Sequence, residues 1–171
     1  MRDHRADSFS GAKIKGLREL KRIISSLKSR RKKIVFTNGC FDLLHYGHTK
    51  YLEDAKRKGD ILVVGLNSDD SVRRIKGQDR PILGEKDRLR IIAALESVDY
   101  VILFDQDTPL EIIKTLKPDV LIKGSDWNIG KIAGADFVLS HGGKVATVKL
   151  EPGRSTTNLI KTIAKRFRKT D

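Results

Sequence analysis

Cysteine is almost absent from this 171-residue chain, and Cys40 is the only one. One thiol excludes an intrachain disulfide and a thiolate-rich zinc site, so Cys40 reads as a small buried packing residue. No apolar run approaches the length of a membrane span, and no signal-peptide h-region opens the chain. A cytoplasmic protein is therefore expected. Low-complexity segments and internal repeats are missing as well. Aromatic residues make up only 6%, and none interleave on a basic face as single-strand nucleic-acid binders require. The glycine patterns of dinucleotide-binding and P-loop proteins, G-x-G-x-x-G and G-x-x-x-x-G-K-[ST], do not occur either.

What is plentiful is positive charge, with a formal net charge of +13. Its distribution decides its meaning. Residues 1–33 carry 12 Lys/Arg against 3 Asp/Glu, and residues 161–171 carry 5 against 1. The stretch 34–160 holds 18 of each and is neutral. The excess lies at the two ends, as solvated segments commonly do. No nucleic-acid partner is expected on this count, and a basic RNA-binding module using both ends is kept only as the alternative of another class.

Residues 1–12 are polar and expected to be disordered. Leu17, Leu20, Ile23, Ile24 and Leu27 then recur at helical spacing over about 14–28. Beyond "KSRRKK" strands and helices alternate. "KIVFTN", "ILVVGL", "YVILF", "DVLIKG" and "KVATVKL" read as strands, short, apolar and β-branched. Helices are predicted over about 46–58 and 84–97, in "TPLEIIKTL" with Thr108 as N-cap and Pro109 at its first position, and over about 155–167. Residues 67–80 read as a polar loop. The pattern predicts one α/β domain, a Rossmann-like, doubly wound parallel sheet of about five strands covered on both faces.

In such sheets ligands bind at the carboxyl ends of the strands. Just past the first strand stands "FTNGCFDLLHYGH", with His45, Gly47 and His48 where a helix begins. A helix N-terminus favours phosphate, two imidazoles can donate to phosphoryl oxygens, and Gly47 admits a nucleotide close to the backbone. That kit suits in-line displacement at phosphorus without a covalent intermediate. A zinc site lacks a third ligand at suitable spacing, and two structural histidines are the plainer alternative. "EPGRSTTNLI" offers Ser155, Thr156 and Thr157 after Gly153, either an ordinary N-cap or a polyphosphate cradle. Lys76 with Gly77, and Arg88 on the following helix, open at the same sheet edge. In "KGSDW", Trp127 is the only tryptophan and either stacks on a ring or caps the core.

Taken in order, these segments resemble the nucleotidyltransferase superfamily marked by H-x-G-H and a late Ser-Thr-Thr, which includes cytidylyltransferases and pantetheine-phosphate adenylyltransferase. Within it, "FTNGCFDLLHYGH", "VGLNSDDSVRRIKGQDRPI", "ALESVDYVILFDQDTP", "PDVLIKGSDW", "IAGADFVLSHGGKV" and "GRSTTNLI" are most similar to the adenylyltransferase half of bacterial bifunctional ADP-heptose synthases, over about 34–163. The resemblance implies a nucleotidyltransferase domain over 34–167, between a basic extension with an amphipathic helix over 1–33 and a basic tail over 168–171. It implies catalysis by His45 and His48 with Lys76. The nucleotide is expected against Phe36, Thr37, Asn38, Gly39, Phe41, Gly47, Arg88, Lys123, Gly124, Asp126, Trp127, Ser155 and Thr156, and the acceptor against Asp42 and Lys76. Mg²⁺ is expected to ride on the triphosphate, with no metal held by the protein. ATP and a sugar phosphate are the implied substrates, a homodimer the implied assembly, and the sugar kinase that usually precedes this domain is expected to be another protein. "LEPGR" replaces the Arg-Thr-Glu-Gly run of glycerol-type cytidylyltransferases, which speaks mildly against CTP. A CTP-dependent or FAD-synthetase-type enzyme is the alternative within the class.

Overall fold

The structure is a computed structural model that describes residues 11–167. The basic tail at 168–171 and most of the segment expected to be disordered, residues 1–10, lie outside the described residues. Gly11–Lys13 form a 3-10 turn. Ile14 then bridges Val101 in parallel at the sheet edge.

Five strands form one parallel sheet: β1 (Ile34–Gly39), β2 (Ile61–Asn67), β3 (Tyr100–Phe104), β4 (Val120–Gly124) and β5 (Lys144–Val148). Their order is β3-β2-β1-β4-β5. The winding therefore reverses between β1 and β4, and the crevice at that switch point opens over the carboxyl ends of these strands. Register is fixed by period-two alternation. Val35, Leu62, Val64, Val101 and Ile122 face one core, and Ile34, Phe36, Val63, Ile102 and Leu121 face the other. A one-residue slip would exchange every one of these sets.

The first core is closed by α2 (Tyr46–Lys56) through Tyr51, Leu52 and Ala55, and by α4 (Glu85–Ala93) through Ile92 and Ala93. The second is closed by α1 (Leu17–Ser29), α5 (Leu110–Leu116) and α6 (Ala135–Ser140). Leu20 and Ile24 of α1 are fully enclosed there, so this helix is a wall of the core and not a loosely laid cover.

Three sequence expectations change. The supposed polar loop over 67–80 contains α3 (Asp69–Lys76). Its apolar content is too small to show a stripe. Its signal lies in the caps: Ser68 Oγ accepts from Ser71 N at 3.0 Å, Asp69 and Asp70 stand in the first turn, and Arg73, Arg74 and Lys76 in the last. That arrangement complements the helix dipole at both ends. At α5 the cap is Pro109 and not Thr108, one residue later than predicted. Finally, α6 and a 3-10 turn at Ile129–Lys131 occupy a stretch for which no element was predicted. α7 (Thr156–Phe167) ends the described chain.

Candidate active site

A cleft of about 570 Å³ lies over the switch point. Its floor is the β1–α2 connection, where Asn38, Gly39 and Phe41 lead to the histidines. His45 is the N-cap of α2 in extended conformation and makes no side-chain cap. Its ring is turned instead onto its neighbour: His45 and His48 stack with centroids 3.9 Å apart and planes 21° from parallel. Phe41 supports the pair edge-on, 5.4 Å from His48. Gly47 gives this stack room that a larger residue would crowd, for a reason the sequence did not show. A Cβ there would stand 3.1 Å from the His45 ring and 3.1 Å from the Cβ of Arg154.

The pair is half-buried, and its enclosed ring nitrogens are unsatisfied. Both ring nitrogens of His45, Nδ1 of His48 and Oδ1 of Asn38 have no hydrogen-bond partner among the described residues. Buried polar atoms are ordinarily paired, so a cluster of orphans marks either strain or a place for a ligand. Burial, then the neighbouring His45, pushes the His48 pKa down to about 4, against a smaller opposing influence of Asp42. Burial, then Arg154, lowers that of His45. Both imidazoles are therefore neutral near pH 7, each with one N–H to donate and no charge to share.

Around them the cleft is ringed by cations. Lys76 reaches it from the end of α3, Arg80 from the loop beyond, Lys131 from the 3-10 turn and Arg154 from the turn before α7. Lys123 rises from the end of β4, donates to the carbonyl of Asn38 at 3.2 Å, and lies 5.3 Å above the ring of Trp127. Burial pushes its pKa down to about 8. Trp127 is half exposed at the cleft, so it does not cap the core. Gly124 and Asp126 line the same wall. Cys40 is also a cleft residue, partly exposed and not a core packer. Burial raises its thiol pKa.

Opposite, Ser155 and Thr156 open α7. Ser155 Oγ accepts from Asn158 N at 3.1 Å, and Thr156 Oγ1 donates to Leu43 O at 3.4 Å. Both line the cleft with Thr157.

Four residues singled out from the sequence are placed differently. Phe36 is wholly enclosed in the second core and does not line the cleft. Thr37 is buried as well, its hydroxyl paired with Tyr51 Oη at 2.7 Å and donating to Ile122 O at 3.0 Å. Arg88 is fully buried. Its Nε donates to Leu83 O at 2.9 Å, Nη1 to Cys40 O at 2.6 Å and Nη2 to Asp69 Oδ1 at 2.7 Å. No edge of that guanidinium faces a ligand, so Arg88 is a tie between loops and not a phosphate clamp. Asp42 does lie at the cleft, but its carboxylate accepts from Ile82 N and Leu83 N at 2.9 Å and pairs with Arg80 Nε at 3.3 Å. It holds the 78–84 loop and has little capacity left for an acceptor. Arg80 and Arg154 were not assigned from sequence. Both stand inside quoted motifs, in "KGQDRPI" and "EPGRSTT", beside residues that were.

A parallel switch-point crevice carrying H-x-G-H at one helix N-terminus and Ser-Thr-Thr at another defines an enzyme of the nucleotidyltransferase class. The chain belongs to the cytidylyltransferase-like family, whose model matches residues 36–161. It is 57% identical over 160 residues to the Bifunctional protein HldE of Geobacter metallireducens, covering 94% of this chain and 33% of that protein. The protein of the same name from Gluconobacter oxydans is 56% identical over 140 residues, 82% of this chain and 29% of that one. The chain thus spans about a third of the length of the curated relatives it matches. A crystal structure of the lipopolysaccharide core biosynthesis protein from Thermoplasma volcanium GSS1 superposes with a TM-score of 0.56 at 33% identity, over 70% of this chain and 97% of that one. Pantoate-beta-alanine ligase from Francisella tularensis, at 16% identity and a TM-score of 0.56 over 84% of this chain and 68% of its own, shares the fold alone. Among the described residues no helix is long and apolar enough to cross a membrane.

Proposed function

We propose that this chain transfers AMP from ATP to D-glycero-β-D-manno-heptose 1-phosphate, releasing pyrophosphate and giving ADP-heptose. The observation that carries the reading is the neutral histidine stack, whose buried nitrogens lack protein partners and face a cleft rimmed by cations and hydroxyls. An oxygen of the acceptor phosphate attacks the α-phosphorus. One P–O bond forms, the bond to the β-phosphate breaks, and pyrophosphate leaves with the electron pair. The attacking oxygen is already anionic, so no general base is needed. His45 and His48 donate to the α-phosphoryl oxygens as charge spreads over them. Neutral donors serve well here, because they add no charge that would trap the departing pyrophosphate. Ser155, Thr156 and the first amides of α7 hold the outer phosphates.

ATP enters as its Mg²⁺ complex. No group of three or more His, Cys, Asp or Glu that could hold a metal occurs among the described residues, and Mg²⁺ shared between phosphate oxygens and water needs no protein cage. Adenine and heptose rest on the resemblance to ADP-heptose synthases and on the relatives named above. The acceptor is itself a kinase product, and we expect a homodimer. The test is pyrophosphate release with ATP, CTP, GTP and UTP against a panel of sugar and polyol phosphates. ATP with the heptose phosphate should exceed every other pair. Preference for CTP, or silence with every sugar phosphate, would sink the assignment.

A further inference from the structure

Every α-helix of the fold except α7 buries part of one face. Yet α7 is not short of apolar residues. Leu159, Ile160, Ile163 and Phe167 recur one turn apart and form a stripe along it. Ile160 is half-covered, but Leu159 is 37% exposed, Ile163 45% and Phe167 79%, so the stripe opens toward the end of the helix. In α1 the matching stripe is closed, with Leu20 and Ile24 inside the second core. Apolar side chains scattered singly over a surface need no explanation, whereas a row along one helix face does.

The charge on α7 decides what can cover the stripe. The helix carries Lys161, Lys165 and Arg166, and no Asp or Glu stands within it to pair with them. Arg168 and Lys169 follow in the sequence. A second copy laid on the same stripe would set these cations against their own kind, with no acid on either helix to offset them. Three partly exposed side chains also offer at most a few hundred Å², against roughly 800 Å² per partner in a standard stable interface. The homodimer expected above would therefore use another surface. A bilayer demands neither shape complementarity nor a large area. It takes an apolar stripe into the acyl boundary and sets cations among anionic headgroups.

From this pattern we propose that α7 attaches the protein to an anionic phospholipid surface, with Leu159, Ile163 and Phe167 in the acyl boundary and Lys161, Lys165 and Arg166 among the headgroups. The stripe is most open at Phe167, so the last two turns make the contact. Thr156 lies roughly 16 Å back along the helix axis and lines the cleft. The cleft therefore stays in water, open to soluble substrates, while the far end of the same helix meets lipid. One short amphipathic helix gives weak and reversible attachment, because stable anchoring takes two signals. The contact does not depend on the nucleotidyl-transfer reading.

The test is flotation of the full chain with two kinds of vesicle: phosphatidylcholine alone, and phosphatidylglycerol mixed with phosphatidylcholine. The protein should float with the mixed vesicles and not with the neutral ones. Salt at about 1 M, where the Debye length is about 3 Å, should release most of it. Phe167→Ser and Ile163→Ser each remove an apolar contact from an exposed position, and each should lower the partition coefficient about tenfold or more. Phe167→Ser carries the comparison if Ile163→Ser folds poorly, since Phe167 is the more exposed of the two. The double variant Lys161→Gln, Lys165→Gln should lower the coefficient about tenfold or more through charge alone. No flotation with the mixed vesicles would overturn the proposal. Equal flotation of Phe167→Ser and wild type would do so too, by reducing the attachment to charge without the stripe. A wild-type dimer that Phe167→Ser or Ile163→Ser turns into a monomer, read by sedimentation without vesicles, would give the stripe to a second copy and overturn it as well.

Discussion

Two buried polar clusters share the β1–α2 connection and differ in one respect. Around Arg88, every nitrogen of the guanidinium meets an oxygen: the carbonyls of Leu83 and Cys40 and the carboxylate of Asp69. Around His45 and His48, three ring nitrogens meet none among the described residues. Desolvating a polar group without a partner costs about 1–3 kcal/mol, so the second cluster is held at a loss that the first does not bear. Satisfaction marks the part of the loop that builds the fold. Its absence marks the part that we propose meets a ligand. Both clusters read as polar residues beside a helix start, and only the hydrogen-bond count tells them apart.

The largest effect expected from this contrast belongs to Arg88. Arg88→Ala strands a carboxylate and two carbonyls and opens a void under the 78–84 loop. A loss of about 3–5 kcal/mol is expected, the range for breaking a buried ion pair. Arg88→Lys should not recover it, because one ammonium cannot reach three acceptors placed around a fork. Urea unfolding measures both. A folded, stable Arg88→Ala enzyme with weak ATP binding would return Arg88 to the phosphate site and undo the comparison.

The histidines should behave in the opposite way. His45→Ala or His48→Ala removes an unpaired donor from a place where none of the fold depends on it. Turnover should fall on the order of 10²–10³-fold, as when an oxyanion donor is deleted, while the melting temperature barely moves. A large fall in melting temperature with residual turnover near wild type would show the stack to be structural.

Much of this was legible in the sequence, and the failures have physical causes. The five strands were readable because parallel strands buried on both faces are continuous apolar runs. The two N-terminal signatures, "HYGH" and "RSTT", were readable because helix starts declare themselves by residue type. α3 was missed because its apolar face is only Val72 and Ile75, and its evidence sits in Ser68, the acidic first turn and the basic last turn. Arg88 and Asp42 were misplaced for another reason. A charged residue near a site resembles a ligand contact until its own partners are known, and those partners include backbone groups 40 and 48 residues away in sequence. Backbone donors and acceptors leave no trace in composition. Arg80 and Arg154 were overlooked in reverse, since nothing in their neighbours' identities says that a guanidinium lines the cleft.

A third effect follows from pH. The folded His48 titrates near 4, below its ordinary 6.5, and the pKa of His45 is lowered too. Above pH 6.5 both states are neutral at His48 and nothing changes. As the pH falls from 6.5 toward 4, the unfolded chain takes up a proton that the folded chain refuses, so stability declines through that window and levels off below it. Urea midpoints at pH 7.5 and pH 5 should differ more in the wild type than in His48→Ala. Equal differences would mean that His48 is not desolvated in solution.

The smallest effect concerns Ser155, whose two duties can be separated. Its Oγ accepts from Asn158 N at 3.1 Å, so it is an N-cap of α7, and Ser155→Ala should cost about 1 kcal/mol for that reason alone. The same variant should weaken ATP if the hydroxyl also meets the outer phosphates, but a frayed helix start would produce a similar loss. Ser155→Asp resolves the ambiguity. Aspartate caps as well as serine and complements the helix dipole, so stability should be kept. It also places a carboxylate where a polyphosphate must sit, and like charges there repel. The expected outcome is a melting temperature at or slightly above wild type with ATP affinity largely lost, read by thermal unfolding and calorimetry on the same preparation. Retained affinity in Ser155→Asp would leave the residue a cap and nothing more, and would shift the outer phosphates toward Thr156, Thr157 and Arg154.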